Sequence, residues 1–176
     1  MRQLIKQREI VADEWRYADE DPQGRGRALI LPFARWKEER DQWWLWDGRL
    51  GVRLGPTDPV EALQHDFLRI ALVAIEFGGL AEGRGYSQAQ MLRKRFKFTG
   101  ELRAVGKIQR DQLFYMARCG FDSFELPEGA DLQAALTAFG DFTVAYQPAV
   151  DVGVSPVRRA NASLEGSARA ALESCR

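Results

Sequence analysis

Residues 70–77 read IALVAIEF. The run has the length of a strand and is closed by the glycine pair Gly78–Gly79. Ile70, Leu72 and Ala74 occupy one face of an extended chain, and Ala71, Val73 and Ile75 the other. A strand with one wet face would alternate apolar and polar residues. A strand apolar on both faces belongs inside a parallel sheet covered by helices.

Five more runs share this character: ALILP (28–32), LGVRL (50–54), LRAVG (102–106), SFELP (123–127) and FTVAY (142–146). Helical patterns fill the gaps. Phe33, Trp36, Arg40, Trp43 and Trp44 keep a helical period, with Lys37, Glu38, Glu39 and Asp41 opposite. Asp58 with Pro59 and Glu61 resembles a capped helix start, and Ser87 with Gln90 a second. Leu113, Met116 and Ala117 form a stripe that ends at Gly120, a C-terminal cap. Asp131 precedes LQAALTAF as an N-cap. Alternating strand and helix predicts an α/β domain of repeated βα units with about six mostly parallel strands. An open sheet and a partial TIM-like barrel both satisfy that pattern. The expected organisation is one α/β domain over residues 1–150. Residues 1–27 form a small N-terminal β decoration, with LIKQREIVADEW (4–15) antiparallel, and residues 151–176 a loosely docked tail rich in Ala, Ser and Arg.

The chain has 176 residues, is 45% apolar and 28% charged, and has a formal net charge of zero. No global charge calls for nucleic acid or an anionic membrane. No apolar run approaches the ~18 residues that span a bilayer, and the N-terminus lacks a signal-peptide core, so a cytoplasmic location is expected. Two cysteines, Cys119 and Cys175, are too few for an iron–sulfur or zinc site within the chain. The single histidine, His65, lies off the Val60–Leu63–Phe67 stripe and reads as a surface residue. Ser-His-Asp chemistry and His-rich metal sites therefore have little to be built from, and no metal site is expected. Cys119 sits at a helix C-terminus, where the dipole disfavours a thiolate, and reads as a small buried hydrophobe.

Ligands in α/β sheets bind beyond the carboxyl ends of the strands. The longest strand-to-helix loop there is GGLAEGRGYS (78–87), leading into QAQMLRKRF (88–96). A helix starting near Ser87 would aim free N–H groups and its positive dipole end outward, beside Arg84. Arg84, Gly85, Tyr86 and Ser87 are thus candidate contacts for a small anion, with Arg110 helping from the next loop. Between Arg84 and Arg118, nine Lys or Arg stand against two acidic residues, a net +7 that leaves −7 elsewhere. Arg93, Lys94 and Lys97 lie opposite the Ala89–Leu92–Phe96 stripe and are expected to form a solvated face. Gly83 and Gly85 begin a G-x-G, but Gln88 stands where a dinucleotide loop needs its third glycine. No P-loop is present, and the cofactor is left open.

Strand ends bring Glu76, Glu125 and Gln147 to the same region, with Asp111 after the fourth run. Glu125, between Phe124 and Leu126, is the candidate catalytic acid or base, because a charge inside an apolar strand needs a partner. All five tryptophans fall in the first 46 residues, three of them in QWWLW (42–46). One helix face cannot bury them all, which points to a protein interface such as a homodimer.

Residues 83–126, GRGYSQAQMLRKRFKFTGELRAVGKIQRDQLFYMARCGFDSFEL, resemble a bacterial family, the domain of unknown function 934. LPFARW (31–36), GVRL (51–54), ALVAIEF (71–77) and VAYQPA (144–149) extend the resemblance to about residue 149. Lys107 departs from it, since an acidic residue is expected after that glycine. Such proteins are often labelled oxidoreductases and are encoded beside assimilatory sulfite reductase. The resemblance implies a cytoplasmic accessory of sulfite reduction, partnered by sulfite reductase or another sulfur-assimilation enzyme. The rival expectation is an enzyme, which the family's label would make an oxidoreductase, acting on a phosphorylated or sulfated metabolite. It would use Glu125 as acid or base and the Arg84–Ser87 loop as anion clamp.

Overall fold

The computed structural model describes residues 2–20, 28–79, 83–141 and 150. The expected strand at 142–146, Gln147 and the tail at 151–176 lie outside the described residues.

The run at 70–77 is a strand over its full length, β6 (Ile70–Phe77). It is preceded by β1 (Gln3–Lys6), β2 (Glu9–Ala12), β3 (Arg16–Tyr17), β4 (Ala28–Pro32) and β5 (Arg49–Leu54). It is followed by β7 (Glu101–Gly106) and β8 (Ser123–Phe124). All eight join one sheet in the order β2-β1-β8-β7-β6-β5-β4-β3. From β3 to β8, neighbours in sequence are neighbours in space and pair in parallel. The β1–β2 hairpin is antiparallel, as expected, and β1 runs antiparallel to β8.

The expectation of about six strands is corrected to eight among the described residues. The surplus comes from the N-terminal segment. The expected hairpin extends the main sheet at β8, and the two-residue β3 adds a parallel edge beside β4. Both are too short or too polar to stand out as apolar runs.

The sheet curls, and its connectivity says why. Laid flat, β2 and β3 would be seven strand spacings apart, on the order of 34 Å. Only residues 13–15 join them, and that link spans at most about 15 Å. The two edges must therefore approach each other, although they do not pair.

Helices lie on the convex side: α1 (Phe33–Glu38), α2 (Arg40–Trp44), α3 (Arg84–Gln90), α4 (Leu113–Cys119) and α5 (Leu132–Thr137). A sequential parallel order with right-handed crossovers puts every helix on one face. The alternation within each strand then separates two cores. Leu29, Leu31, Val52, Leu54, Val73, Ile75, Phe77, Leu102, Ala104 and Phe124 pack under the helices. Trp15, Tyr17, Ala28, Ile30, Leu72, Ala74 and Val105 fill the concave side. A Cβ on Gly51 would lie 3.2 Å from Trp15, Ile30 and Leu72, so the smallest residue makes room for the indole.

Caps follow the sequence in part. Asp131 accepts from Ala134 N, and Gly120 ends α4 at φ 107°. Asp58 does not cap a helix; its carboxylate accepts from Gly55 N at 2.7 Å and closes the turn before the 3₁₀ segment Val60–Leu63. The turn before α4 is closed by a Gln109–Gln112 capping box. Among the described residues, no helix is long and apolar enough to cross a membrane.

Candidate functional site

The concave core is polar along one line, and that line leads to a cleft. Arg103 on β7 is fully buried. Its Nη1 donates to both oxygens of Asp13, at 3.1 and 3.0 Å, and its Nε and Nη2 donate to Glu101 Oε1, at 3.2 and 3.0 Å. Ser123 Oγ donates to the same Glu101 oxygen at 2.7 Å, and Lys6 Nζ to its other oxygen at 2.6 Å. Arg103 Nη1 also lies 3.7 Å from Glu125 Oε2. Glu125, whose side chain is 18% exposed, accepts from the Tyr17 hydroxyl at 2.7 Å and from Arg2 Nη1 at 2.9 Å.

Burial, then the Glu125 charge, pushes the Tyr17 hydroxyl well above its ordinary range, against the opposing pull of Arg103 and Arg2. Tyr17 therefore remains a protonated donor to Glu125. Burial also pushes the Glu101 carboxyl up, but Arg103 and hydrogen bonds from Lys6, Ser123 and Arg103 outweigh it and hold the group below the usual carboxylate range. A depressed carboxylate stabilises the fold fully above its unfolded pKa and loses that contribution as pH falls through the folded value. The midpoint of urea unfolding should fall as the pH drops below about 4.3. A Glu101→Gln variant should be less stable at neutral pH and should lose less on acidification. An unchanged acid slope in that variant would remove Glu101 as the cause.

Glu125 opens into a cleft of about 810 Å³. The size suits a small molecule or an inserted side chain. Arg53, Glu76, Val105, Gly106 and the segment 125–130 line it, together with Arg2, Tyr17, Asp19 and Glu20. These positions lie at the carboxyl ends of β3, β5, β6, β7 and β8, where ligand sites of parallel sheets occur. Both guanidinium groups lie against the Tyr17 ring, Arg2 at 5.1 Å and Arg53 at 5.4 Å from its centroid. Each is already paired: Arg2 with Glu20 and Glu125, Arg53 with Asp19 at 3.0 Å and Glu76 at 3.7 Å. Among the described residues, five carboxylates face two arginines across this cleft. Its surplus is acidic, which favours a cationic or hydrogen-bond-donating guest over a free oxyanion.

Of the residues expected at a site, Glu125 and Glu76 line this cleft; Arg84, Gly85, Tyr86, Ser87 and Arg110 do not. The helix expected to start near Ser87 begins at Arg84, so the Ser87–Gln90 cap is replaced by ordinary helix. Packing explains the shift. Gly85 lies so close to β6 that a Cβ would sit 2.6 Å from the Phe77 ring, and the Tyr86 ring meets Phe77 edge-on and Tyr115 at a tilt. Glycine alone disfavours a helix, but these contacts outweigh its propensity. Arg84 and Ser87 are exposed on the first turns. Arg110 spends its guanidinium on Ala134 O, Thr137 Oγ1 and Asp141, which tie the start of α4 to α5.

Arg93 departs from the expected solvated face. It donates to Phe98 O at 2.6 Å, Gly100 O at 2.9 Å and Gly120 O at 3.0 Å, and pairs with Asp122. Lys94 and Lys97 are exposed as expected. Cys119 is buried, and His65 is exposed. Asp111 lies in the 3₁₀ turn Arg110–Gln112. Among the described residues, no group of three or more His, Cys, Asp or Glu is placed to hold a metal ion.

Arg2, Tyr17, Asp19, Glu20 and Arg53 were not anticipated. The available signal was the alternation itself: Arg53, Glu76 and Arg103 interrupt apolar strands at positions facing the same side. The family model for a bacterial protein of unknown function, DUF934, matches residues 51–156. That span holds Arg53, Glu76, Arg103 and Glu125; Arg2, Tyr17 and Asp13 lie before it. A search of the curated proteins found no match. With more than half of its length covered, including four of the charged groups on the concave side, the chain belongs to the domain of unknown function 934 family.

Proposed function

We propose that this protein is a cytoplasmic accessory of assimilatory sulfite reduction that docks a partner enzyme over the acidic cleft, a basic side chain of the partner entering it. The pathway comes from the family resemblance; the docking place comes from the cleft. We read the curled sheet as a partial TIM-like barrel, with the cleft at its mouth. The observation that carries the reading is the cleft's excess of carboxylates over arginines at the strand carboxyl ends. It also moves the proposed contact away from the Arg84–Ser87 loop, and it favours a basic partner surface over a small oxyanion.

Tagged protein should co-purify with sulfite reductase at micromolar concentrations, and the association should weaken with added salt. Glu76→Lys combined with Glu128→Lys reverses two charges at the rim and should weaken capture by about tenfold or more. Absence of association, together with unchanged sulfite reduction in a deletion strain, would overturn the proposal.

The placement of Glu125 favours a second reading, an enzyme using that carboxylate as acid or base. Its substrate would be the phosphorylated or sulfated metabolite expected above, with the anionic group on Arg2 or Arg53. Thermal-shift screening with sulfate, phosphate, nucleotides and flavins separates the two. Stabilisation by one such ligand that disappears in Glu125→Gln supports the enzyme; stabilisation by none supports the docking protein.

A further inference from the structure

Both arginines of the cleft already hold its carboxylates, so a basic side chain from outside has to enter by exchange. The two are mounted differently. Arg53 lies inside β5 and is pinned between Asp19 and Glu76. Arg2 stands one residue before β1. Its carbonyl accepts from Asp13 N at 2.8 Å, which fixes the main chain, while its side chain is 36% exposed. That side chain can leave the cleft without disturbing a strand.

Arg2 is seated as a guest guanidinium would be. Nη1 donates to Glu125 Oε1 at 2.9 Å, and Nη2 donates to both oxygens of Glu20, at 2.8 and 2.9 Å. One planar group thus bridges two carboxylates, and it lies over the Tyr17 ring at 5.1 Å from the centroid. Carboxylates at the edge and an aromatic ring at the face suit a guanidinium better than an ammonium.

We propose that Arg2 is an internal plug of the cleft, holding the seat that an arginine of the partner takes on docking. The inference rests on the docking reading above and adds the identity of the entering side chain and the contact it displaces. Exchanging one guanidinium for another conserves the hydrogen bonds. An empty seat is the unfavourable state. Without Arg2, Glu125 keeps only the Tyr17 hydroxyl at 2.7 Å and the Arg103 cation at 3.7 Å, and its side chain is 18% exposed. A carboxylate so enclosed favours a cation in the place of Arg2. Lysine brings a point charge that reaches one carboxylate and does not bridge two. The plug lowers the apparent affinity for the guest in proportion to the time the seat is free.

Calorimetric titration of the full chain and of its Arg2→Ala and Arg2→Lys variants tests this, with N-acetylarginine amide and N-acetyllysine amide as probes. Arg2→Ala should bind the arginine probe about tenfold or more tightly than the parent, as follows if Arg2 leaves the seat free about a tenth of the time or less. The lysine probe should gain much less, so the preference for arginine widens. Arg2→Lys keeps the charge of the chain but loses the fork, and should show an intermediate gain. Melting temperatures close to that of the parent exclude misfolding; if Arg2→Ala fails to fold, Arg2→Lys carries the test. An equal gain for both probes would mean that the lost charge acts through the general field of the cleft, which overturns the plug. Equal binding of the arginine probe by parent and variants, or no binding of it by any of them, overturns it too. Capture of sulfite reductase by the same proteins separates the plug from the docking reading. If the parent captures the enzyme and the arginine probe gains nothing, the plug falls and docking stands. If the probe gains and no enzyme is captured, the plug stands and that partner falls.

Discussion

Replacing Arg103 by methionine should cost the fold roughly 3–5 kcal/mol, the range seen when one member of a buried ion pair is removed. The guanidinium is fully buried, and so is the carboxylate of Asp13; Glu101 is nearly so. Methionine fills much of the volume but offers no donor. Two carboxylates would then stand in the concave core without their main partner, and Glu125 would lose its buried cation at 3.7 Å. Lys6 and Ser123 still satisfy Glu101 in part, which keeps the loss from growing larger. Urea unfolding followed by circular dichroism measures the effect. Adding Asp13→Asn and Glu101→Gln to the methionine variant should recover part of the stability, because the uncompensated charges disappear with the cation. A single-variant loss below about 1 kcal/mol, typical of exposed pairs, would mean that the network is solvated and contributes little.

Gly106→Ala should be the next most damaging change, at about 2–5 kcal/mol from strain and overpacking together. Gly106 ends β7 with φ +93°, a left-handed conformation that a side chain opposes. A Cβ there would also lie 2.6 Å from the carbonyl oxygen of Phe77, its partner on β6. That oxygen accepts from Lys107 N at 2.8 Å, so it cannot retreat without losing the bond. Gly129 provides the comparison. It has φ +84° but open space where a Cβ would go. Gly129→Ala should show the backbone penalty alone, about 1–2 kcal/mol. Both glycines line the cleft, so equal losses at the two positions would show that the Phe77 contact does not matter.

The central strands were legible because each is apolar on both faces, which leaves little choice but a covered parallel sheet. β6 matches its run residue for residue, and β4, β5 and β7 match theirs within one residue. β3 was not legible, because two residues, Arg16 and Tyr17, carry no period. Glu125 was found on the rule that a charge in an apolar strand needs partners. Its partners were not found, since Arg2 and Tyr17 lie 123 and 108 residues away along the chain. The Arg84–Ser87 loop was read from glycine content, and packing against Phe77 made it helix instead.

From its residues alone, then, the protein was bound to be an α/β chain with parallel strands buried on both sides and a carboxylate at the end of one of them. Local pattern suffices for that, because strand periodicity and burial are properties of neighbouring residues. Tertiary structure decided the rest. The three-residue link at 13–15 pulls the sheet edges together, and only then do Asp13, Tyr17, Glu101, Arg103 and Glu125 meet on one concave face. Curvature and long-range charge pairing depend on closure of the whole chain, and closure leaves no periodic trace in the sequence.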